Sequence, residues 1–237
     1  MISVLIPSYR NPTGLADCLA SILRTVSDTR NIEILIRIDN DDPKSLEYKC
    51  LEEFNKRAFN PNWNIKFIES KVKERGYENL HLFVNELASQ ANGDWLMLLT
   101  DDSIIRSKNW DLEINKYYPR DLVVLNPCGQ GLNLFPIVAY SVYDILGHIS
   151  LNSHYDTWIS SVAHENGKQI RLNNGEIQIE HLGKVNNHTE TSNAYYSKEM
   201  RDLLQKDILQ LKLAISMDKA NEEYGQALKN LAEGDTK

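Results

Sequence analysis

Short apolar runs alternate with segments of helical periodicity through the first half of the chain. Apolar residues recur at three- and four-residue spacing over 13–26, 45–59 and 78–91. The apolar runs between them span 2–6, 32–38, 65–68 and 95–99. Strands that alternate with helices predict a mostly parallel sheet with right-handed crossovers, flanked by helices, which is an α/β fold.

The second half of the chain has a less regular pattern. Strands are predicted at 122–125 and 136–141, and helices at 143–149 and 155–166. A β-hairpin is predicted from 169–172 and 176–180, because the Asn173-Asn174-Gly175 segment between them suits the positive φ of a tight turn. Beyond residue 197, apolar residues at helical spacing predict one or two amphipathic helices: Leu203, Leu204, Ile208, Leu211 and Leu213.

Size and composition limit the class of protein. A chain of 237 residues that is 42% hydrophobic suits one domain over 1–195 with a C-terminal helical extension over 196–237. The net charge of −7 argues against sequence-independent binding to nucleic acid, which needs a clustered basic face. Three cysteines without pairing or zinc-type spacing favour a reducing compartment. With neither a basic leader nor a membrane-length apolar run, we expect a cytoplasmic protein without an integral membrane segment.

Adjacent acids close the fourth predicted strand and are the strongest chemical signal. Asp101 and Asp102 follow the apolar run that ends at Leu99. Because burying an unpaired carboxylate costs several kcal/mol, acids in this position usually hold a cation or a polar ligand. A hard divalent ion such as Mg²⁺ or Mn²⁺ needs only one or two protein carboxylates. The alternative is an exposed turn or a helix N-cap.

Two other loops are expected at the same edge of the sheet, 7–11 and 39–42. In open parallel sheets, ligands bind beyond the carboxyl ends of the strands. An acid such as Asp39 can there accept hydrogen bonds from the ribose hydroxyls or the base of a nucleotide. For Asp41 and Asp42, an Asx-turn before Pro43 is the favoured interpretation.

The sequence resembles the family 2 glycosyltransferases with the GT-A fold over about residues 2–115. The resemblance rests on the order and spacing of four segments. They are Ile2-Ser3-Val4-Leu5-Ile6-Pro7-Ser8-Tyr9-Arg10-Asn11, Ile34-Leu35-Ile36-Arg37-Ile38-Asp39-Asn40-Asp41-Asp42, Ala91-Asn92-Gly93-Asp94-Trp95-Leu96 and Leu99-Thr100-Asp101-Asp102-Ser103. The last segment stands at the family's DxD metal motif, although Thr100 and Ser103 flank only two acids here.

The resemblance implies transfer of a sugar from a nucleoside diphosphate sugar to an acceptor hydroxyl of a carbohydrate or other molecule, assisted by Mn²⁺ or Mg²⁺. It implies a donor half at 1–115 and an acceptor half at 116–195. Asp102 is expected to bind the metal, and His181, at the end of a predicted strand, is expected to complete the site. Donor contacts are expected from Pro7, Ser8, Tyr9, Arg10, Asp39, Arg75 and Asp101. For Arg75 and His181, an ordinary polar surface residue is the alternative.

An inverting transfer needs a general base for the acceptor hydroxyl. In related enzymes this carboxylate stands at the start of a helix in the second half, as Asp156 does here. Asp144 is the competing candidate, and an acid that only stabilises the helix dipole is the other interpretation of Asp156. The fold also hosts retaining enzymes, so both stereochemical outcomes stay open.

Two rival functions remain from the sequence. A nucleotidyltransferase would share the parallel sheet and the metal-binding acids, but the loop after the first strand lacks the glycine pair typical of that class. A non-catalytic nucleotide- or carbohydrate-binding module is the other rival. The C-terminal leucine stripe indicates helix docking or self-association into a homo-oligomer.

Overall fold

The structure is a computed structural model that describes residues 1–58, 63–70, 72, 76–119, 124–127, 134–172, 176–183 and 197–234. The strands are β1 (Ile2–Ser8), β2 (Ile32–Ile38), β3 (Asn64–Glu69), β4 (Trp95–Leu98), β5 (Ser103–Ile105), β6 (Val124–Pro127), β7 (Ile137–Ala139), β8 (Gln169–Leu172) and β9 (Ile179–His181). The helices are α1 (Pro12–Thr25), α2 (Ser45–Ala58), α3 (Leu80–Ala88), α4 (Trp110–Ile114), α5 (Tyr140–Leu146), α6 (Tyr155–Glu165) and α7 (Lys198–Gly234).

The first half of the chain forms the predicted parallel sheet. β1 lies at its centre and pairs in parallel with β2 on one side and β4 on the other, and β3 extends the sheet beyond β2. Every residue of β1, β2 and β4 is buried, as expected for parallel strands covered on both faces. The prediction of an α/β fold with a mostly parallel sheet is therefore confirmed.

The second half completes the sheet in the order β3-β2-β1-β4-β7-β6-β8. β7 runs antiparallel to both β4 and β6, whereas β8 runs parallel to β6. The predicted hairpin is wrong, because β8 joins the main sheet and β9 pairs with β5 in a separate two-stranded sheet. Its proposed turn, 173–175, lies outside the described residues.

Local sequence signals explain where several helices begin and end. Asn11 caps α1, since its side chain accepts a hydrogen bond from the Gly14 N–H, and Pro12 occupies the first helical turn. α3 begins later than its apolar periodicity predicts, because a 3₁₀ turn at Tyr77–Asn79 precedes it. α5 begins at Tyr140 directly after β7, so the strand predicted at 136–141 ends early.

The C-terminal segment is one helix of 37 residues, α7, about 55 Å long at 1.5 Å per residue. Its first half packs against α5 and α6, with Leu211 fully buried in the common core. The buried carboxylate of Asp207 accepts a hydrogen bond of 2.8 Å from Trp158 Nε1 and lies 3.5 Å from His148 Nε2. No helix in the described part of the chain is long and apolar enough to cross a membrane.

We expect Asp207→Ala to lower the free energy of unfolding by about 1–3 kcal/mol, because the buried indole N–H of Trp158 would lose its acceptor. Urea denaturation followed by circular dichroism measures the change. Asp218→Ala is the matched control, since Asp218 is an exposed acid on the same helix. Equal destabilisation by both substitutions would contradict an anchoring role for Asp207.

Candidate active site

A cleft of about 460 Å³ opens at the carboxyl ends of β1, β2 and β4. This is the edge at which ligands bind in open parallel sheets, because the loops that leave adjacent strands meet there. The lining residues are Pro7, Ser8, Tyr9, Arg37, Asp39, Gly76, Tyr77, Leu80, Phe83, Thr100, Asp101, Asp102 and His181.

Asp101 is held in the cleft by the last residue of β1 and by the loop that follows this strand. Its Oδ2 accepts a hydrogen bond of 2.6 Å from Ser8 Oγ, and its Oδ1 accepts one of 3.1 Å from Asn11 Nδ2. Burial raises the pKa of Asp101, and the hydrogen bonds from Ser8 and Asn11 oppose that rise. Both carboxylate oxygens are therefore oriented by the protein itself.

Asp102 faces His181 across the small β5–β9 sheet. The pairing of Ser103 with His181 brings His181 Nε2 to 3.2 Å from Asp102 Oδ1. Burial alone would raise the pKa of Asp102, but hydrogen bonds from His181 and Thr100 and the charge of His181 lower it below its ordinary value. The hydrogen bond to Asp102 raises the pKa of His181, against the opposite effect of burial. The Phe135 ring packs against His181, with 5.9 Å between ring centroids.

Gly183 allows the chain after β9 to approach Asp102 closely. The Leu182 N–H donates a hydrogen bond of 3.0 Å to the Asp102 carbonyl oxygen. A Cβ atom at Gly183 would lie 2.2 Å from Asp102 Oδ2, well inside van der Waals contact. Any side chain at position 183 would therefore displace the Asp102 carboxylate.

The geometry of the Asp102–His181 pair fits a small divalent cation. Two ligands bound at right angles to an ion at 2.0–2.1 Å are about 3 Å apart, close to the 3.2 Å between Oδ1 and Nε2, and the ion would replace the proton that His181 shares with Asp102. The described residues contain no group of three or more His, Cys, Asp and Glu side chains arranged around a metal position. A protein pair suffices for Mg²⁺ or Mn²⁺, which complete their coordination with water and substrate oxygens.

The other end of the cleft holds Asp39 next to a buried arginine that the sequence analysis missed. Arg37 Nη1 lies 2.6 Å from Asp39 Oδ1, and the two side chains are 1% and 4% exposed. The sequence did contain a signal for Arg37, because it is the single cation in the apolar run of β2. It stands two residues before Asp39, so the two side chains point to the same side of the chain.

Tyr48 is a second residue that the sequence analysis missed. Its buried hydroxyl shares a hydrogen bond of 2.7 Å with Ser8 Oγ and accepts one of 3.0 Å from the Asn11 N–H. Burial raises the pKa of Tyr48 to about 12. A tyrosine on an amphipathic helix resembles any core residue, so no sequence signal identified this contact.

Arg10 differs in placement from the other described residues that are predicted to contact the donor. Pro7, Ser8 and Tyr9 line the cleft, whereas the exposed Arg10 side chain lies over the Tyr9 ring, 4.9 Å from its centroid, and is not part of the lining. The Arg10 backbone has φ of 55°, and its N–H donates to Asp42 Oδ2. Arg75 lies outside the described residues.

Asp156 lies in the first turn of α6. It is not part of the lining, but its charge raises the pKa of Tyr77, after the larger effect of burial. Burial raises the pKa of Asp156 itself. Burial raises the pKa of Tyr155 well above its usual range, and the charges of Asp156 and Asp102 add to that rise, so Tyr155 lies within electrostatic range of both acids.

Asp144, the competing candidate for the general base, is exposed on α5. It lies beside Tyr143 and is not part of the cleft lining.

Known structures share this architecture. The mannosyltransferase PcManGT from Pyrobaculum calidifontis, in complex with GDP-Man and Mn²⁺, aligns with a TM-score of 0.61 at 11% identity, over 96% of this chain and 79% of that one. TarS 1–349 from S. aureus in complex with UDP-GlcNAc gives a TM-score of 0.59 at 16% identity, over 88% and 66% of the two chains. A longer TarS chain gives 0.58 at 14% identity, over 75% of this chain and only 36% of that one. These likenesses show a shared fold.

No curated protein sequence matches the chain. The model of the family described as "Glycosyl transferase family 2" matches residues 3–128, which is more than half of the sequence and contains β1 except for its first residue, β2 to β4 and both acids that follow β4. The chain belongs to glycosyl transferase family 2.

Proposed function

We propose that this protein transfers a sugar from a nucleoside diphosphate sugar to an acceptor hydroxyl, with a divalent cation held by Asp102 and His181. The observation that carries the proposal is the Asp102–His181 pair beside the cleft that also contains Asp39. The solved structures with UDP-GlcNAc and with GDP-Man and Mn²⁺ support the ligand class, because those proteins share the fold.

In this proposal, the two ends of the cleft bind different parts of the nucleoside diphosphate sugar. When bound, Mn²⁺ or Mg²⁺ would neutralise charge on the diphosphate leaving group. Asp101, fixed by Ser8 and Asn11, faces the ribose or the sugar. Asp39 accepts hydrogen bonds from the nucleoside. We assign residues 1–115 to the donor half and 116–195 to the acceptor half of a domain that ends at 195, and His181 is the residue of the second half that contributes to the metal site.

Asp156 is our proposed general base for an inverting transfer. Its charge raises the pKa of Tyr77, a residue of the cleft lining, which supports a carboxylate near the cleft and apart from the metal pair, as removal of a proton from an acceptor requires. The raised pKa caused by burial makes it a stronger base than an exposed aspartate.

We further propose a cytoplasmic enzyme, since Cys18 and Cys50, the two described cysteines, are free thiols.

Mn²⁺ together with UDP or GDP is expected to raise the melting temperature of the wild-type protein, because a ligand that binds only the folded state stabilises it. Asp102→Ala should abolish the Mn²⁺-dependent part of this rise. Gly183→Ala should weaken it, because the added methyl group displaces the Asp102 carboxylate. Differential scanning fluorimetry with and without Mn²⁺ measures each effect.

Asp41→Ala is the matched control for the metal prediction. Asp41 is an exposed acid in the loop after β2 and is not part of the cleft lining, so its loss changes the net charge equally without removing a proposed ligand. An undiminished Mn²⁺-dependent rise in Asp102→Ala would refute the assignment of Asp102 as a metal ligand.

Asp156→Asn is expected to lower kcat by about 100-fold or more with little change in the donor KM, because a positioned base contributes roughly 10²–10⁴-fold. The base acts when ionised, so activity falls as the pH drops through its pKa. Since burial raises the pKa of Asp156, this fall should occur at a higher pH than for an ordinary aspartate. Release of nucleoside diphosphate from UDP- and GDP-sugars, measured from acidic to neutral pH, gives both quantities.

Asp144→Asn is the control for the proposed base, as Asp144 is exposed on α5 and should leave kcat unchanged. The acidic limb of the pH profile should also disappear in Asp156→Asn. Tight nucleotide binding without turnover, unaffected by Asp156→Asn, would instead favour a non-catalytic binding module.

We also propose that α7 joins two copies of the chain. Apolar positions 213, 217, 220 and 224 follow the four- and three-residue spacing of a coiled-coil seam. Three of them carry large, exposed side chains: Leu213 at 62%, Met217 at 58% and Tyr224 at 67%. A second copy of the same helix presents the same row of side chains and would cover them.

The double substitution Met217→Glu and Tyr224→Glu is expected to convert the oligomer to a monomer, because it places charge in the proposed seam. Size-exclusion chromatography with light scattering gives the mass. Gln226→Glu with Lys229→Glu adds negative charge away from this row and should leave the mass unchanged. A wild-type protein that is monomeric at all accessible concentrations would end this proposal.

A further inference from the structure

Tyr48 is a buried side chain on α2 to which the proposed mechanism gives no task. It is 0% exposed, and its ring belongs to the common core. Its hydroxyl contacts the last residue of β1 and the loop that follows this strand. A phenylalanine ring would fill the same place in the core, so the hydroxyl requires an explanation of its own.

The hydrogen bonds around this hydroxyl run in one direction. The Asn11 N–H donates to the Tyr48 oxygen at 3.0 Å. Ser8 Oγ has a single proton and donates it to Asp101 Oδ2 at 2.6 Å. Tyr48 must therefore be the donor in the 2.7 Å hydrogen bond that it shares with Ser8. The three groups form a chain of donors that ends on the Asp101 carboxylate.

The burial of Tyr48 suits this direction. Burial raises the pKa of Tyr48 to about 12, so its hydroxyl keeps its proton at neutral pH and stays a donor. In a protein interior, successive hydrogen bonds polarise one another, and each strengthens the next. Loss of the Tyr48 proton donor would therefore weaken the hydrogen bond between Ser8 and Asp101 without touching either residue.

The β2–α2 segment also holds the loop that carries the second partner of Asp101. Two consecutive N–H groups of this loop are bound from that side: Arg10 N–H by Asp42 Oδ2 at 2.7 Å, and Asn11 N–H by Tyr48. Arg10 has φ of 55°, in the left-handed region that non-glycine residues rarely adopt. In this conformation Asn11 Nδ2 lies 3.1 Å from Asp101 Oδ1. Tyr48 thus supports the contacts of both carboxylate oxygens.

We propose that Tyr48 is a positioning residue for the sugar donor: its hydroxyl directs the Ser8 proton at Asp101 and so fixes that carboxylate for the nucleotide sugar. The inference rests on the proposed function, in which Asp101 faces the ribose or the sugar. Ser8 and Asp101 line the cleft, whereas Tyr48 does not, so Tyr48 acts on the donor only through them.

Tyr48→Phe tests the inference, because it removes the hydroxyl and keeps the ring. The measurement is release of nucleoside diphosphate, at fixed Mn²⁺, from the UDP- or GDP-sugar that the wild-type chain turns over. The donor KM should rise about tenfold while kcat changes less than about threefold, as expected for a lost contribution to donor binding. A residue that only supports the fold would lower the amount of active enzyme and hence kcat. An unchanged donor KM would therefore overturn the inference.

Ser3→Ala is the matched control. Ser3 stands near the start of β1, at the opposite edge of the sheet, and its buried Oγ donates to Glu33 Oε1 at 2.6 Å. The substitution removes a hydroxyl bound to a carboxylate from the same strand, and because distant sites act independently the donor KM should stay within about twofold of wild type. An equal rise in KM in Ser3→Ala and Tyr48→Phe would mean that any weakening of β1 has this effect, and would count against Tyr48.

A double-mutant cycle with Ser8→Ala tests the route of the effect. Ser8→Ala alone should raise the donor KM, and adding Tyr48→Phe to it should raise the KM further by less than about threefold, because Tyr48 acts largely through Ser8. A full tenfold further rise would show that the two residues act independently and would refute the chain of donors.

4-Fluorophenylalanine at position 48, introduced by nonsense suppression, keeps the inference testable if Tyr48→Phe does not fold. Its fluorine fills most of the space of the hydroxyl but has no proton to donate. The donor KM should rise as in Tyr48→Phe, whereas a wild-type KM in this variant would show that the hydroxyl only fills space.

The same assays separate this inference from the proposed function. A wild-type protein that turns over a nucleotide sugar, together with an unchanged donor KM in Tyr48→Phe, would overturn the role of Tyr48 and leave the glycosyltransferase assignment standing. A wild-type protein that neither binds nor cleaves any UDP- or GDP-sugar with Mn²⁺ would overturn both.

Discussion

The arrangement of the cleft depends on how two adjacent carboxylates are accommodated at the end of β4. Asp101 accepts hydrogen bonds from the end of β1 and from the β1–α1 loop, and Asp102 pairs with the imidazole of His181 from β9. If either set of partners were absent, a partly buried negative charge would lack compensation, which is costly in a protein interior. The acids therefore tie the first strand, the fourth strand and the late β9 segment to one point.

The parallel half and its ligand edge could be predicted because the signal is local. β1, β2 and β4 are buried on both faces, so their sequences are continuous apolar runs that end where the polar loops begin. Once the strands are parallel, Ser8, Asp39 and Asp101 must meet at one edge, since carboxyl ends align. Ser8 and Asp101 are 93 positions apart in the chain and still form a hydrogen bond.

Strand partners and buried polar contacts could not be predicted in this way. Periodicity indicates that 169–172 and 176–180 contain strands, but a strand does not encode which neighbour it joins, and β8 and β9 enter different sheets. β5 has only three residues, too few for a periodic signal. Arg37 and Tyr48 act through partners distant in sequence, namely Glu86 and Ser8, so their roles become visible only in three dimensions.

The charge distribution connects the fold to the proposed ligand. The protein carries a net charge of −7 and presents Asp39, Asp101 and Asp102 to the cleft, an unfavourable setting for an anionic nucleotide unless cations are supplied locally. Among the described lining residues, Arg37 provides a fixed cation at the nucleoside end. A divalent ion held by Asp102 and His181 would provide positive charge at the other end. An acidic cleft built this way would bind a nucleoside diphosphate only together with its metal ion, so free nucleotide and free metal would each bind weakly on their own.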